Sequence, residues 1–161
     1  AEKEAAKDGF DAWKTRQTEF IEDIENKFFK ACLEGRLAEI KQLVSENLYL
    51  LSLKDPNGWS AIIIAAFWQH ESLVNYLVNM GANPNDRGKN GTTVLMYAKT
   101  KLLDSKEPNL NIISTLVANG ADVRAKDNFG KDIFHYLDPK KTSSDLIKKY
   151  LNAVMAPELR S

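Results

Sequence analysis

Cys32, His70 and His135 are the residues of this sequence whose side chains most readily support nucleophilic or metal chemistry. A cysteine beside a histidine can act as an activated nucleophile, and both residue types bind zinc. One cysteine and two histidines do not form a recognised metal-ligand spacing. The sequence also has no glycine-rich loop of the kind that holds phosphate groups. Whether the cysteine can meet a histidine therefore depends on the elements that position them.

The chain repeats itself with a period of 33 residues. An Asn-Gly pair occurs at 57–58 and again at 90–91, followed each time by small and apolar residues. A later apolar segment ends in Gly-Ala-Asn at 81–83 and in Gly-Ala-Asp at 120–122. A further opening lies at 128–135. Self-similarity at such a period predicts stacked structural units.

These motifs resemble the ankyrin repeat, whose unit opens with Asp-x-x-Gly-x-Thr-Pro-Leu-His, continues with Ala-Ala-x-x-Gly-His and closes with an apolar helix and Gly-Ala-Asp/Asn. Residues 55–63 fill the opening, and Ala-Ala-Phe-Trp-Gln-His at 65–70 fills the middle. Thr-Val-Leu-Met at 93–96 and Asp-Ile-Phe-His at 132–135 stand at the Thr-Pro-Leu-His position of later units. A degraded first unit shows Ala-Cys-Leu-Glu-Gly-Arg at 31–36.

The resemblance covers roughly residues 20–154 and implies an all-α fold. This fold is an ankyrin-repeat solenoid of stacked helix-turn-helix units that are joined by β-turn or hairpin-like loops. We expect a helical cap or extension at 1–20 and a loose C-terminal tail at 155–161. The repeats, called one to four below, are expected at 21–54, 55–87, 88–126 and 127–154.

Two features depart from the family pattern. The proline of the opening tetrapeptide is missing from every repeat, so the first helices lack its fixed backbone angle. Repeat three is also longer, because Gly81 and Gly120 are 39 residues apart. The six extra residues are expected between its two helices, near 102–109. Insertions in repeat proteins map to loops on one face, often the functional one.

The second helix of each repeat is predicted to supply the core, because apolar residues recur there at i, i+3 and i+4. These residues are Ile40, Leu43 and Val44; Val74, Leu77 and Val78; Ile113, Leu116 and Val117; and Ile147, Tyr150 and Leu151. We expect Gly81, Gly120 and Asn47 to close three of these helices in the left-handed conformation. Thr-Ser-Ser-Asp at 142–145 is expected to cap the start of the last helix.

Residues 1–20 precede the repeats and favour a helix, since Ala, Glu and Lys fill the first seven positions. Apolar residues then recur at helical spacing, with a gap at Gln17: Phe10, Trp13, Phe20, Ile21, Ile24, Phe28 and Cys32. We expect one or two helices that run into repeat one, with an apolar stripe that covers the exposed end of the stack. The alternative is a helix for dimerisation or for binding a partner.

The composition is that of a folded, soluble domain. Lys+Arg and Asp+Glu both total 22, so the formal net charge is zero. With no long basic run, this balance argues against nucleic-acid binding. No apolar stretch approaches the roughly 20 residues that span a bilayer. Cys32 is the single cysteine and is expected to be a packed thiol. The compartment stays open: cytoplasmic by default, or exported after removal of a signal peptide.

The repeat arrangement argues against catalysis. His70 and His135 both fall where the ankyrin pattern itself has a histidine. Cys32 belongs to repeat one, far from His135 in repeat four, and is expected to point inward rather than toward His70. Three aspartates occupy turn positions, where carboxylates accept hydrogen bonds from backbone amides: Asp55, Asp127 and Asp132. We therefore expect no enzymatic activity, no metal and no cofactor.

The resemblance implies instead a protein-interaction module with a groove formed by the turn tips and the inner faces of the first helices. The positions it nominates for partner binding are Trp59, Phe67, Trp68, Arg87, Lys89, Asn90, Thr92, Lys101 and Phe129. Three of these are aromatic residues of repeat two, and tryptophan is enriched at binding hot spots. The basic residues among them favour an acidic segment in the partner.

Other interpretations stay open at this point. Trp59 could fold back over its own turn, and Phe67 or Trp68 could pack beneath the insertion, whose Leu102 and Leu103 need apolar neighbours. The chain could also self-assemble through its N-terminal helix, or hold a small molecule under the insertion. We expect a monomer that binds a protein through repeats two and three, and neither nucleic acid nor membrane.

Overall fold

The computed structural model describes residues 2–159, with side chains from 7 to 156, and in this part of the chain all regular structure is helical. The α-helices are α1 (Glu2–Glu34), α2 (Leu37–Glu46), α3 (Ala61–Phe67), α4 (Glu71–Asn79), α5 (Val94–Thr100), α6 (Asn111–Ala118) and α7 (Thr142–Leu159). Short 3-10 helices lie at Leu48–Ser52, Lys89–Gly91, Leu102–Asp104 and Ile133–Tyr136. The predicted all-α architecture is confirmed.

The chain divides into two compact bodies, an N-terminal one of residues 1–50 and a C-terminal one of residues 51–161. In the N-terminal body, α1 and α2 form a helical hairpin around Gly35, which has a φ of 67°. The amide of Arg36 donates to the carbonyl of Ala31 at 2.9 Å and closes the end of α1. Phe28, Ala31 and Cys32 are buried along the α1 face that carries the predicted stripe.

Most of the remainder of that stripe is exposed, contrary to the prediction of a cap, and only Ile24 is half-buried. Phe10, Trp13, Phe20 and Ile21 are 59%, 51%, 63% and 47% exposed. The extension is one continuous helix with the first helix of repeat one, and it has 33 residues, whereas α2 has 10. At 1.5 Å per residue these lengths are about 50 and 15 Å. The partner helix α2 is therefore too short to cover the N-terminal half of α1.

The second helices contribute buried residues to the core, as predicted, but the first helices α3 and α5 also bury most of their residues. Ile40, Leu77, Ile113 and Ile147 are all completely buried, one in each repeat. Gly81 and Gly120 have φ values of 93° and 98° and end α4 and α6. After each glycine the next amide donates back to the helix, Ala82 to Leu77 and Ala121 to Leu116, both at 2.9 Å. This is the closure that a left-handed residue allows.

Asn47 does not follow this pattern, so the prediction of a left-handed residue there was wrong. Its φ is −142°. The backbone amide of Asn47 donates to Leu43 at 2.9 Å, and its side-chain amide donates to the same carbonyl at 3.3 Å. The asparagine therefore satisfies the helix end with its side chain while the chain continues into a 3-10 helix.

The turns between repeats in the C-terminal body are built alike and joined to one another. Asp55 accepts hydrogen bonds from the amides of Asn57 and Trp59, both at 2.9 Å. The Asp86 carboxylate links two turns, because it contacts Lys54 at 3.1 Å and accepts from the hydroxyl of Ser60. In the described residues the turns contain isolated β-bridges and no continuous strand, so these side-chain hydrogen bonds hold neighbouring turns together.

The insertion of repeat three lies between α5 and α6, at the predicted place, and packs against α5 and α7. Leu102 is only 4% exposed, so it does not form an outward patch. The hydroxyl of Ser143 donates to the carbonyl of Ser105, and Lys141 pairs with Asp104 at 2.5 Å. Ser143 and Ser144 were predicted to help cap the start of α7. Their hydroxyls instead donate to the carbonyls of Ser105 and Asp138.

Repeat four departs from the regular unit. Its first helix is reduced to the 3-10 turn Ile133–Tyr136, because Pro139 disfavours helical backbone at the residue before it. Its second helix continues to Leu159, so the segment predicted to be a loose tail is helical up to that residue. Ala153, Met155 and Ala156 are good helix formers that extend the helix beyond its last buried residue, Leu151. Residues 160–161 lie outside the described part.

Candidate functional site

Three aromatic side chains of repeat two form a cluster with Tyr97 of repeat three. The ring centroid of Trp59 lies 5.0 Å from that of Phe67 and 4.9 Å from that of Tyr97. The rings of Phe67 and Trp68 meet edge to face at 5.2 Å, an arrangement that aromatic quadrupoles favour. We call these four residues the aromatic cluster. Trp59 and Phe67 are half-buried, whereas Trp68 is 43% exposed.

The local sequence explains how these rings come together. Gly58 takes a φ of 81° in the turn, and the Asp55 carboxylate holds the amide of Trp59. The indole of Trp59 therefore leaves the turn in a fixed direction. Phe67 is the last residue of α3 and Trp68 follows it directly. The turn tip and the first-helix end of repeat two thus face each other, and Tyr97 of α5 contacts Trp59 from repeat three.

Lys101 lies over the exposed part of the aromatic cluster. Its ammonium nitrogen is 4.3 Å from the ring centroid of Trp68 and 5.0 Å from that of Phe67. A cation over an aromatic face is attracted by the negative face of the ring. The group over these two rings is thus a lysine that lies between α5 and the 3-10 helix of the insertion.

Beside the aromatic cluster lies an open cavity of about 220 Å³. Its walls come from α3, α5 and the turns of repeats three and four. The lining residues are Phe67, Asn90, Thr92, Met96, Tyr97, Lys99, Thr100, Asp127, Phe129 and Tyr136. Phe129 is 66% exposed. This aromatic cavity is large enough for one apolar side chain, and its mixed walls offer both apolar and polar contacts.

Tyr136 and Asp127 both line the aromatic cavity and are hydrogen-bonded to each other. The Tyr136 hydroxyl donates to one carboxylate oxygen of Asp127, while the other accepts from the amides of Phe129 (2.9 Å) and Lys131 (3.0 Å). Burial raises the pKa of the Asp127 carboxyl, but these hydrogen bonds and the charge of Lys131 outweigh it and hold the pKa below its ordinary value. The same hydrogen bond raises the pKa of the Tyr136 hydroxyl. Both oxygens of the Asp127 carboxylate are therefore occupied by hydrogen bonds from the chain itself.

Lys99 is a second cation on this surface. Its ammonium nitrogen lies 5.7 Å from the ring centroid of Tyr136 and 3.3 Å from the hydroxyl of Thr100. Burial lowers the pKa of Lys99. A partly desolvated ammonium attracts a carboxylate more strongly than a solvated one.

Four predicted residues serve the turns. The Arg87 guanidinium donates to the carbonyls of Lys126 at 2.6 Å and Gly91 at 3.3 Å, and so joins two turns. Asn90 has a φ of 63°, and its carbonyl accepts from the amide of Asn128 at 2.8 Å. The hydroxyl of Thr92 donates to the carbonyl of Lys89 at 3.1 Å.

Lys89 itself is exposed at the turn tip. Asn90 and Thr92 line the aromatic cavity. Arg87 is not among its lining residues, because its guanidinium is turned toward the next repeat.

The residues considered for catalysis have structural environments. Cys32 is completely buried, and burial raises the pKa of its thiol to about 12. The Nδ1 atom of His135 lies 2.8 Å from an oxygen of Asp132 and accepts from its amide at 3.2 Å. His70 precedes the first residue of α4. Within the described residues, no group of three or more Cys, His, Asp or Glu side chains is placed to hold a metal ion.

Tyr97, Lys99 and Tyr136 were not predicted for this surface. The two tyrosines share one repeat position, because each follows its turn glycine, Gly91 or Gly130, by six residues. In repeat two that position is Ile64, which is 1% exposed. The repeat pattern alone therefore predicts core rather than surface for these rings.

The comparisons with known proteins agree with the fold. The family model for ankyrin repeats (3 copies) matches residues 28–127. The human transient receptor potential cation channel subfamily A member 1 is 32% identical over 71 residues, which are 44% of this chain and 6% of the channel. Its Caenorhabditis elegans homolog is 29% identical over 118 residues, 73% of this chain and 9% of that protein. The inactive serine/threonine-protein kinase TEX14 of Mus musculus is 27% identical over 114 residues, 70% of this chain and 7% of the kinase.

The chain thus spans less than a tenth of each of these relatives. Ankyrin repeats generally act as protein-protein interaction modules and generally carry no catalytic activity. Among the described helices, none has the length and apolar content required to cross a membrane.

The match over residues 28–127, the stacked helix pairs and the Gly-Ala-Asn/Asp helix ends lead to one conclusion: this chain belongs to the ankyrin-repeat family.

Proposed function

We propose that this chain binds a protein partner through the aromatic cluster and the adjoining aromatic cavity of repeats two to four. The observation that carries the proposal is the exposed Trp68 ring, held edge to face on Phe67 and beside an open cavity of about 220 Å³. Preformed aromatic surfaces lose little conformational entropy on binding, which favours affinity.

The charge around the cavity indicates the chemistry of the partner. Lys99 and Lys101 lie over its aromatic rings, and Lys131 lies 6.0 Å from the Tyr136 ring centroid. The carboxylate that lines the cavity, Asp127, accepts a hydrogen bond from Tyr136. We therefore infer a partner segment with an acidic side chain beside an apolar one. The apolar group would enter the cavity, and the acidic group would pair with the lysines and speed association.

The test begins with affinity capture from the native cells, followed by titration of each captured protein, purified, against the wild-type chain and a Trp68→Ala variant. Leu146→Ala is the matched control, because Leu146 is 45% exposed and Trp68 is 43% exposed, and both lie in the same body. Circular dichroism establishes that all three chains are folded. Loss of a hot-spot ring raises the dissociation constant by roughly 30-fold or more.

A partner that loses affinity with Trp68→Ala but not with Leu146→Ala supports the proposed surface. Equal affinity for all three chains overturns it. The acidic character is checked separately with Lys101→Glu, which should weaken binding most at low salt, because screening diminishes the charge effect at high salt.

A further inference from the structure

The N-terminal half of α1 presents an apolar stripe to solvent. Phe10, Trp13 and Phe20 are each more than half exposed, and the first two rings stack with centroids 6.0 Å apart. Ile21 is also 47% exposed beside them. Three aromatic side chains on a single exposed helical face are a costly surface unless another element covers them.

The spacing along the stripe is that of a coiled coil. Phe10, Trp13, Gln17, Phe20 and Ile24 are separated alternately by three and four residues, as the a and d positions of a heptad are. Gln17 is the polar exception in this series. A polar residue at such a position specifies the register of pairing at a cost in stability.

The charges on either side of the stripe are distributed unevenly along the helix. With Phe10 at position a and Trp13 at position d, Arg16 and Asp23 both occupy position g, directly beside the seam. In a parallel pair position g faces position e, where the second copy has the uncharged Ile21 and Phe28, so neither charge meets an opposite one. In an antiparallel pair position g faces position g, so Arg16 of one copy meets Asp23 of the other, and charges that flank a coiled-coil seam set orientation in this way.

We propose that α1 pairs in an antiparallel manner with α1 of a second copy of this chain. When Gln17 packs beside Phe20 of the second copy, Trp13 packs on Ile24 of the second copy. In that register Arg16 faces Asp23 across the seam, twice in the symmetric pair. The sequence led us to expect a monomer, and the exposed rings are the observation from which we propose a dimer instead.

The first test is sedimentation equilibrium of the whole chain over a concentration series. The wild-type chain should form a dimer, and Phe20→Ser should raise the dimer dissociation constant roughly a hundredfold, since each dimer loses two buried rings. Phe20 is 63% exposed, so the variant keeps its fold, which circular dichroism checks. Leu146→Ser, which removes an exposed apolar side chain of α7, should dimerise like the wild-type chain.

The second test addresses orientation by charge exchange. Arg16→Asp alone and Asp23→Arg alone each bring like charges together and should weaken the dimer. The double variant Arg16→Asp/Asp23→Arg should regain most of the lost affinity, because the opposite charges again face each other. A monomeric wild-type chain, a dimer that ignores Phe20→Ser, or a double variant no better than the singles would each overturn the proposal.

Discussion

The hydroxyl oxygen of Tyr97 lies 2.2 Å from the point that a Cβ atom on Gly88 would occupy. The equivalent pair in repeat four is Tyr136 and Asp127, where the hydroxyl donates to the carboxylate. Repeats three and four therefore use the same tyrosine position differently. In repeat three the phenol takes the space of the turn side chain, and in repeat four it bonds with that side chain.

This relationship predicts that Gly88→Ala destabilises the chain although its backbone angle, a φ of −89°, suits alanine. The added methyl must displace Tyr97, a type of overpacking that typically costs about 1–3 kcal/mol. Chemical denaturation measures the loss. Adding Tyr97→Phe should restore part of it by removing the oxygen. Gly9→Ala is the control, because nothing lies within 4 Å of its Cβ, and a stable Gly88→Ala variant would contradict the packing described here.

The Asp127 carboxylate predicts a pH dependence of stability. Its pKa in the folded chain is lowered, so its stabilising contribution is present above the unfolded pKa of about 3.9 and is lost as the pH falls through the folded pKa. The difference in unfolding free energy between wild type and Asp127→Asn should therefore shrink as the pH is lowered from neutral into this range. Urea unfolding at a series of pH values measures it. A difference that stays constant with pH would show that the charge is not what stabilises the turn.

Lys101 is predicted to interact with the aromatic cluster even without a partner. The ammonium lies 4.3 Å from the Trp68 centroid, and a solvent-accessible pair of this type contributes about 0.5–1 kcal/mol. A double-mutant cycle with Lys101→Met and Trp68→Leu isolates this coupling in the free energy of unfolding. Repeating the cycle at high salt is the control, since a short-range contact should persist. A coupling of zero would mean that the lysine lies over the ring without stabilising the fold.

Cys32 is predicted to be chemically inert in the folded chain. A rise in its pKa from 9.0 to about 12 lowers the thiolate fraction roughly a thousandfold at neutral pH. A thiol-reactive aromatic disulfide should therefore label it only after denaturation. The matched control is Cys32→Ser/Leu33→Cys, because Leu33 is 49% exposed and a thiol there should react at once. Rapid labelling of the native wild-type chain would contradict its burial.

The candidate site was only partly accessible to prediction. Trp59, Phe67 and Trp68 could be placed on one surface because the repeat period assigns each of them to a turn tip or a helix end. Tyr97 and Tyr136 could not, since Ile64 occupies the same repeat position in the core. Lys101 was expected as a charge for a partner, and the structure places it first over the rings of its own chain.

By itself the sequence determined the ankyrin architecture, the buried face of the second helices and the position of the insertion. All three follow from periodic spacing, and local backbone preferences such as those of Gly81 and Gly120 act over a few residues. Tertiary structure decided what lies across from each side chain: that α2 is too short to cover Phe10 and Trp13, that Arg87 joins two turns, and that Tyr97 fills the space above Gly88. These contacts join residues distant in the chain, and their energies depend on distances that no local pattern encodes.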